Sequence, residues 1–112
     1  MIGQDPVDRA RIILLDPNGT RWPDPEMIIW VSDGQREIGR RRPDALYTAD
    51  HPTGLSITAD ITALTETLDV SDFHVGAMTD YICWRCFRKD SENVKSARRA
   101  KEHLDDFMRQ ML

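Results

Sequence analysis

Residues 72–88 present apolar side chains on two faces of a helix at once. Phe73, Ala77, Tyr81 and Trp84 recur on one face, and Val75, Met78, Ile82 and Cys86 recur on another. A helix apolar on more than one side has to be covered from several directions, so the rest of the chain must supply its partners. That requirement predicts a mainly α, bundle-like fold with this helix at its centre.

Three further segments can serve as those partners. Asp5-Pro6 reads as an N-cap followed by proline at the first helical position, with Val7, Ala10, Ile13 and Leu14 at helical spacing and a stop at Asp16-Pro17-Asn18-Gly19. Asp24-Pro25 repeats the device and opens a stripe of Met27, Trp30, Val31, Gly34 and Ile38, widened by Ile28 and Ile29. Gly34 inside that stripe costs about 1 kcal/mol against alanine, which suggests that another backbone approaches there. The last helix starts near a Ser91 cap and carries Val94, Ala97, Ala100, Leu104, Phe107, Met108 and Met111 on one side. The expected helices are therefore 6–16, 24–40, 72–88 and 92–111, and the aromatic core is Trp22, Trp30, Phe73, Tyr81, Trp84 and Phe107.

Residues 44–70 have a different character. Asp50-His51-Pro52-Thr53-Gly54 is a loop signature, after which Leu55, Ile57, Ala59 and Ile61 alternate with polar residues. Alternation of this kind reads as a short strand or extended arm. Its apolar edge has two outlets: a neighbouring subunit or partner protein, or a hairpin folded back on the chain's own helices. The whole chain reads as a single domain, 1–112, with 44–70 as an extended loop or arm.

Composition narrows the function classes. With 112 residues, 40 % hydrophobic and 30 % charged, the chain suits one soluble domain. No apolar run approaches the roughly 20 residues that cross a bilayer, and Met1-Ile2-Gly3-Gln4-Asp5-Pro6 has neither a basic region nor an apolar signal core. A cytoplasmic origin without a membrane partner is the simple expectation. The formal net charge of −4 argues against the whole surface binding nucleic acid.

Chemistry-bearing motifs are sparse. Cys83-Trp84-Arg85-Cys86 is a C-x-x-C, but it lies inside the third helix rather than at a helix start after a strand. Core packing is the reading that fits, ahead of redox or metal chemistry. His51, His74 and His103 are scattered, and no serine or cysteine has a recognisable nucleophile setting. No catalytic residue, metal site or cofactor is expected. Arg36 with Arg40, Arg41 and Arg42 is the sharpest charge feature. It suits contact with DNA phosphate or an acidic partner, and it equally suits cations at a helix C-terminus. A helix–turn–helix would need polar base-reading residues at the start of the second helix, where this chain has Met27, Ile28, Ile29 and Trp30.

The order of several short segments resembles a known family. Arg9-Ala10-Arg11-Ile12, Gly19-Thr20-Arg21-Trp22-Pro23-Asp24, Asp33-Gly34-Gln35-Arg36-Glu37-Ile38 and Arg42-Pro43-Asp44-Ala45 look like the N-terminal half of tailed-phage head–tail adaptor proteins, also called head-completion or connector proteins. Ala77, Asp80-Tyr81, Arg85, Lys89-Asp90-Ser91-Glu92 and the alanine-containing last helix resemble the C-terminal half. Many members carry a longer, strand-rich insert where this chain has only 44–70. The resemblance implies a structural virion protein without turnover. It implies a homo-oligomeric ring, twelvefold, seated between the portal protein and a tail or nozzle/stopper protein, with genomic DNA passing through its channel without specific binding. The chain would reside in the host cytoplasm before assembly and in the virion afterwards. Candidate assembly contacts are Arg36, Arg40, Arg41, Arg42, Leu55, Ile57, Ala59 and Ile61. A small helical DNA-binding or regulatory protein is the competing class.

Overall fold

The computed structural model describes residues 1–46, 60–90 and 92–112. It is mainly helical: α1 (Gln4–Leu14), α2 (Asp24–Arg41), α3 (Val75–Lys89) and α4 (Val94–Gln110). There is no β-strand among the described residues, only an isolated antiparallel bridge between Ile2 and Thr67. The helix α3 packs against α1, α2 and α4. It buries Ala77, Met78, Tyr81, Ile82, Cys83, Cys86 and Phe87, so both of its apolar faces are covered.

The first turn of structure is organised by a buried charge. On α1, Val7, Ala10 and Leu14 face the core, and Arg11 is buried with them. Its guanidinium donates to the Trp22 carbonyl at 2.8 Å and to Asp24 Oδ1 at 2.6 Å, and it lies 3.5 Å from Asp16 Oδ2. Asp16 in turn accepts the backbone N–H groups of Thr20, Arg21 and Trp22 at 3.0, 3.2 and 3.0 Å. Burial alone would raise the Asp16 carboxyl, but those three N–H groups and the Arg11 charge outweigh it and hold it below the ordinary aspartate value. Gly19 completes the loop with φ of +67°, and a Cβ there would meet the Arg11 guanidinium at 2.9 Å. Asp24, expected as a cap, therefore serves as an ion-pair partner, and Pro23 takes the cap position of α2.

The helix α2 meets α3 through a missing side chain. A Cβ on Gly34 would lie 2.5 Å from Met78 Sδ and 3.1 Å from Tyr81 Cδ1. The close approach expected at Gly34 is therefore made by side chains of α3 rather than by a backbone. Tyr81 also packs edge-on against Phe107 of α4, with centroids 5.4 Å apart, and against Trp84 at 5.3 Å.

Residues 60–70 form a layer of the chain's own core. Ile61, Leu64, Leu68 and Val70 are buried. The N-terminal backbone ties down the segment: Gly3 and Gln4 donate to the Glu66 and Leu64 carbonyls, and Leu68 donates to Met1. Two buried polar side chains of α2 do the same, Ser32 accepting from Ile61 N–H at 3.2 Å and Gln35 from Asp69 N–H at 2.7 Å. Ile61 is thus corrected from an assembly contact to a core residue, because its backbone donor has a partner within the chain. Leu55, Ile57 and Ala59, and the Ser91 cap, lie outside the described residues.

The aromatic expectation needs one correction. Trp22, Tyr81 and Phe107 are buried, and Trp30 and Trp84 pack half-buried at the edge of the same core. Phe73 is 97 % exposed. It sits in a 3-10 turn, Asp72–His74, ahead of α3. Its phase relative to Ala77 and Tyr81 is therefore not that of a continuous α-helix. The stripe of α4 is likewise used only in part: Ala100, Phe107 and Met111 are buried, while Val94 and Ala97 face outward.

The Arg11 node generates a stability prediction. Asp16 has a depressed folded pKa, so its contribution is fully present above the ordinary carboxylate range and is lost as pH falls through the folded value. Asp16→Asn should cost about 2–3 kcal/mol near neutral pH, the range for charge-assisted hydrogen bonds. The gap between variant and wild type should narrow as acid protonates the wild-type carboxyl. Urea unfolding at a series of pH values checks this, and parallel stability curves down to acid pH would contradict it.

Candidate functional site

The four arginines proposed as contacts lie along the last turns of α2 and just beyond. Each has a carboxylate partner within the chain. Arg36 pairs with Asp33 at 3.2 Å and also with Asp60. Arg40 reaches both Glu37 oxygens at 2.7 Å, and Arg41 Nε reaches one of them at 3.3 Å. Arg42 forms a two-point pair with Asp44 at 3.0 Å and donates to the Leu112 carbonyl at 3.1 Å. Burial would raise the Glu37 carboxyl, but the Arg40 hydrogen bond and the charges of Arg40 and Arg41 hold it below its usual value. The Arg42 hydrogen bond lowers Asp44 in the same sense. Exposed pairs of this kind add little stability, yet they cancel the local field. A run that looks strongly cationic in sequence is a compensated surface in three dimensions, and phosphate would have to compete with resident carboxylates.

A different surface stands out by its geometry. A cleft of about 790 Å³ opens between the start of α2 and the last turns of α3. Pro23, Pro25, Ile29 and Trp30 give it apolar walls, and Arg85, Arg88 and Lys89 line its α3 side. The Arg85 guanidinium lies 4.5 Å from the centre of the Trp30 ring and 5.4 Å from that of Trp84, and Arg88 lies 5.6 Å from Trp84. Cation–π contact of this type fixes long side chains over apolar surface. Lys89 is engaged by Glu26 at 2.7 Å. Among the described residues, Arg85 and Arg88 have ring faces rather than carboxylates as partners. Sequence reasoning missed this cleft. The available signal was Ile29, at the widened margin of the α2 stripe, followed far along the chain by cations three residues apart beside Trp84.

Further apolar side chains are exposed. Ile12 on α1 is 73 % exposed and Leu15 just past it is 84 % exposed. Val94 and Leu112 are also open to solvent. These are scattered over different faces, with Ile12 and Leu15 on the outer side of α1.

The remaining reactive groups are enclosed. Cys83 and Cys86 are free and fully buried in α3. Burial pushes both thiols up, Cys86 to about 12 and Cys83 further, and each neighbouring carboxylate or thiol adds to the effect. A thiol so far from ionisation is a poor nucleophile and a poor metal ligand. Among the described residues no group of three His, Cys, Asp or Glu side chains could hold a metal ion. No helix there is long and apolar enough to cross a membrane. His103 pairs with Asp80 at 2.9 Å and stacks on Phe87, so it bridges α3 and α4. Comparison with family models, with curated proteins and with solved structures finds no match for this chain.

The thiols offer a direct check of the packing. In the native state, labelling of Cys83 and Cys86 by a small thiol reagent should be slow and should track unfolding. Rapid labelling of both at neutral pH would show that α3 is not enclosed as described.

Proposed function

We propose that this chain is a structural adaptor subunit of a tailed phage, a ring component that joins the portal of the DNA-filled head to the tail and acts without turnover. The observation that carries the reading is where the family-like segments fall. Arg11, Gly19, Trp22 and Asp24 come from two of those segments and meet in one buried node. Gly34 belongs to a third segment and Tyr81 to a fourth, and they meet where α2 crosses α3. The resemblance thus lies on residues that hold the helices together, which is where a likeness of fold should lie.

The physics of a connector suits such a unit. A ring subunit has to offer surfaces to neighbours on both flanks, to a portal on one side and to a tail or stopper protein on the other. A small helical core leaves most of its surface for those contacts. The acidic balance, −4 over the chain, would help a ring channel pass DNA without holding it. The self-compensated arginines act in the same direction, since phosphate contacts need uncommitted cations.

Particles assembled without this chain should accumulate as filled heads that lack tails and lose their DNA. Electron microscopy of such particles, with the chain resupplied as a control, tests the reading. Normal tailed particles in its absence would refute it, as would tight binding of duplex DNA with a steep salt dependence by the isolated chain.

A further inference from the structure

The chain carries two exposed surfaces of opposite character that do not touch each other's residues. One is the cleft between α2 and α3, apolar at Ile29 and Trp30 and cationic at Arg85 and Arg88. The other is the outer stripe of α1. Asp5, Asp8 and Ile12 fall within one narrow sector of the helix at 100° per residue, and Leu15 follows just past its end. All four are exposed, and Arg9 stands at the flank of the stripe beside Asp5. Among the described residues, Asp5 and Asp8 accept local hydrogen bonds, from Ile2 N–H and the Gln4 amide.

We infer that the α1 stripe of one copy docks in the α2–α3 cleft of the next, forming a head-to-tail contact between subunits. Ile12 and Leu15 would cover Ile29 and Trp30, and Asp5 and Asp8 would face Arg85 and Arg88. The match is in both charge sign and apolar content. A contact of this kind uses two different patches, so it propagates from copy to copy and closes into a ring when the rotation allows. The stripe is only about 15 Å long at 1.5 Å per residue, so a single contact belongs with weak, concentration-dependent associations. The inference rests on the ring reading above only for closure. Failure of that reading would appear as normal particles without the chain, whereas failure of this contact appears in the purified protein.

Complementation tests it. One variant removes the apolar stripe, Ile12→Gln with Leu15→Gln. The other inverts the cleft, Ile29→Asp with Arg88→Glu. All four positions are exposed, so circular dichroism should match wild type. Sedimentation at about 1 mM, where even a contact worth about 4 kcal/mol is half-populated, should show wild type forming species larger than a dimer. Each variant alone should remain monomeric, and their equimolar mixture should form a dimer and nothing larger, because only one intact stripe and one intact cleft remain per pair. A second reading needs no loss of packing: Ile12→Cys and Ile29→Cys chains, mixed under mild oxidation, should give a crosslinked heterodimer, the native thiols being buried. A monomeric wild type, self-association of either variant at the wild-type level, a mixture that stays monomeric, or no mixed crosslink would each overturn the inference.

Discussion

A guanidinium taken out of water has to be repaid in full by hydrogen bonds and opposite charge, and Arg11 sets that condition for this chain. Its partners come from three places: the loop carboxylate of Asp16, the Trp22 carbonyl, and Asp24 in the first turn of α2. Satisfying Arg11 therefore fixes the course of residues 15–24. Leu15 turns with a left-handed backbone, Gly19 leaves room for the guanidinium, and Trp22 is drawn into the core. The start of α2 is placed as a consequence, and with it Pro23 and Pro25, which form one wall of the cleft. The same node leaves the opposite side of α1, with Ile12 and Leu15, facing outward.

Apolar periodicity carried the helices and their order, because each helix buries a stripe against α3 and that burial is what the pattern records. It placed α2 at 24–40 against an observed Asp24–Arg41, and α1 two residues late. It failed where the backbone leaves the α-helical phase. Phe73 is in register with Ala77 and Tyr81 only if the helix extends back through it, and a 3-10 turn does not preserve that register. Buried polar residues were also invisible to it. Arg11, Ser32 and Gln35 belong to none of the apolar stripes, yet each is buried and is met by a backbone partner. Segment 60–70 is core for that reason, through hydrogen bonds to α2 and to the N-terminal backbone that no local pattern encodes.

The candidate surfaces were legible in a similar uneven way. The arginine run is obvious in sequence, but its meaning depends on Glu37, Asp44 and Asp60, which cancel it. The cleft is the reverse case: its two walls are about 60 residues apart in the chain, and the crossing of α2 over α3 at Gly34 brings them together. The run at Arg36, Arg40, Arg41 and Arg42 is neutralised within the chain and the described cysteines are buried, so the surface left to make contacts is the cleft, with its apolar walls and the Arg85 and Arg88 cations. The adaptor role proposed above would use such a surface by fitting between larger components.

The most direct measurement is a reconstruction of the head–tail joint from intact particles, at a detail that resolves side chains. The adaptor proposal requires a closed ring of this chain between portal and tail, each copy with Arg11 enclosed by Asp16, Trp22 and Asp24 and with α1 against the cleft of its neighbour. A joint built without this chain, or a chain found away from the portal–tail axis, would contradict it.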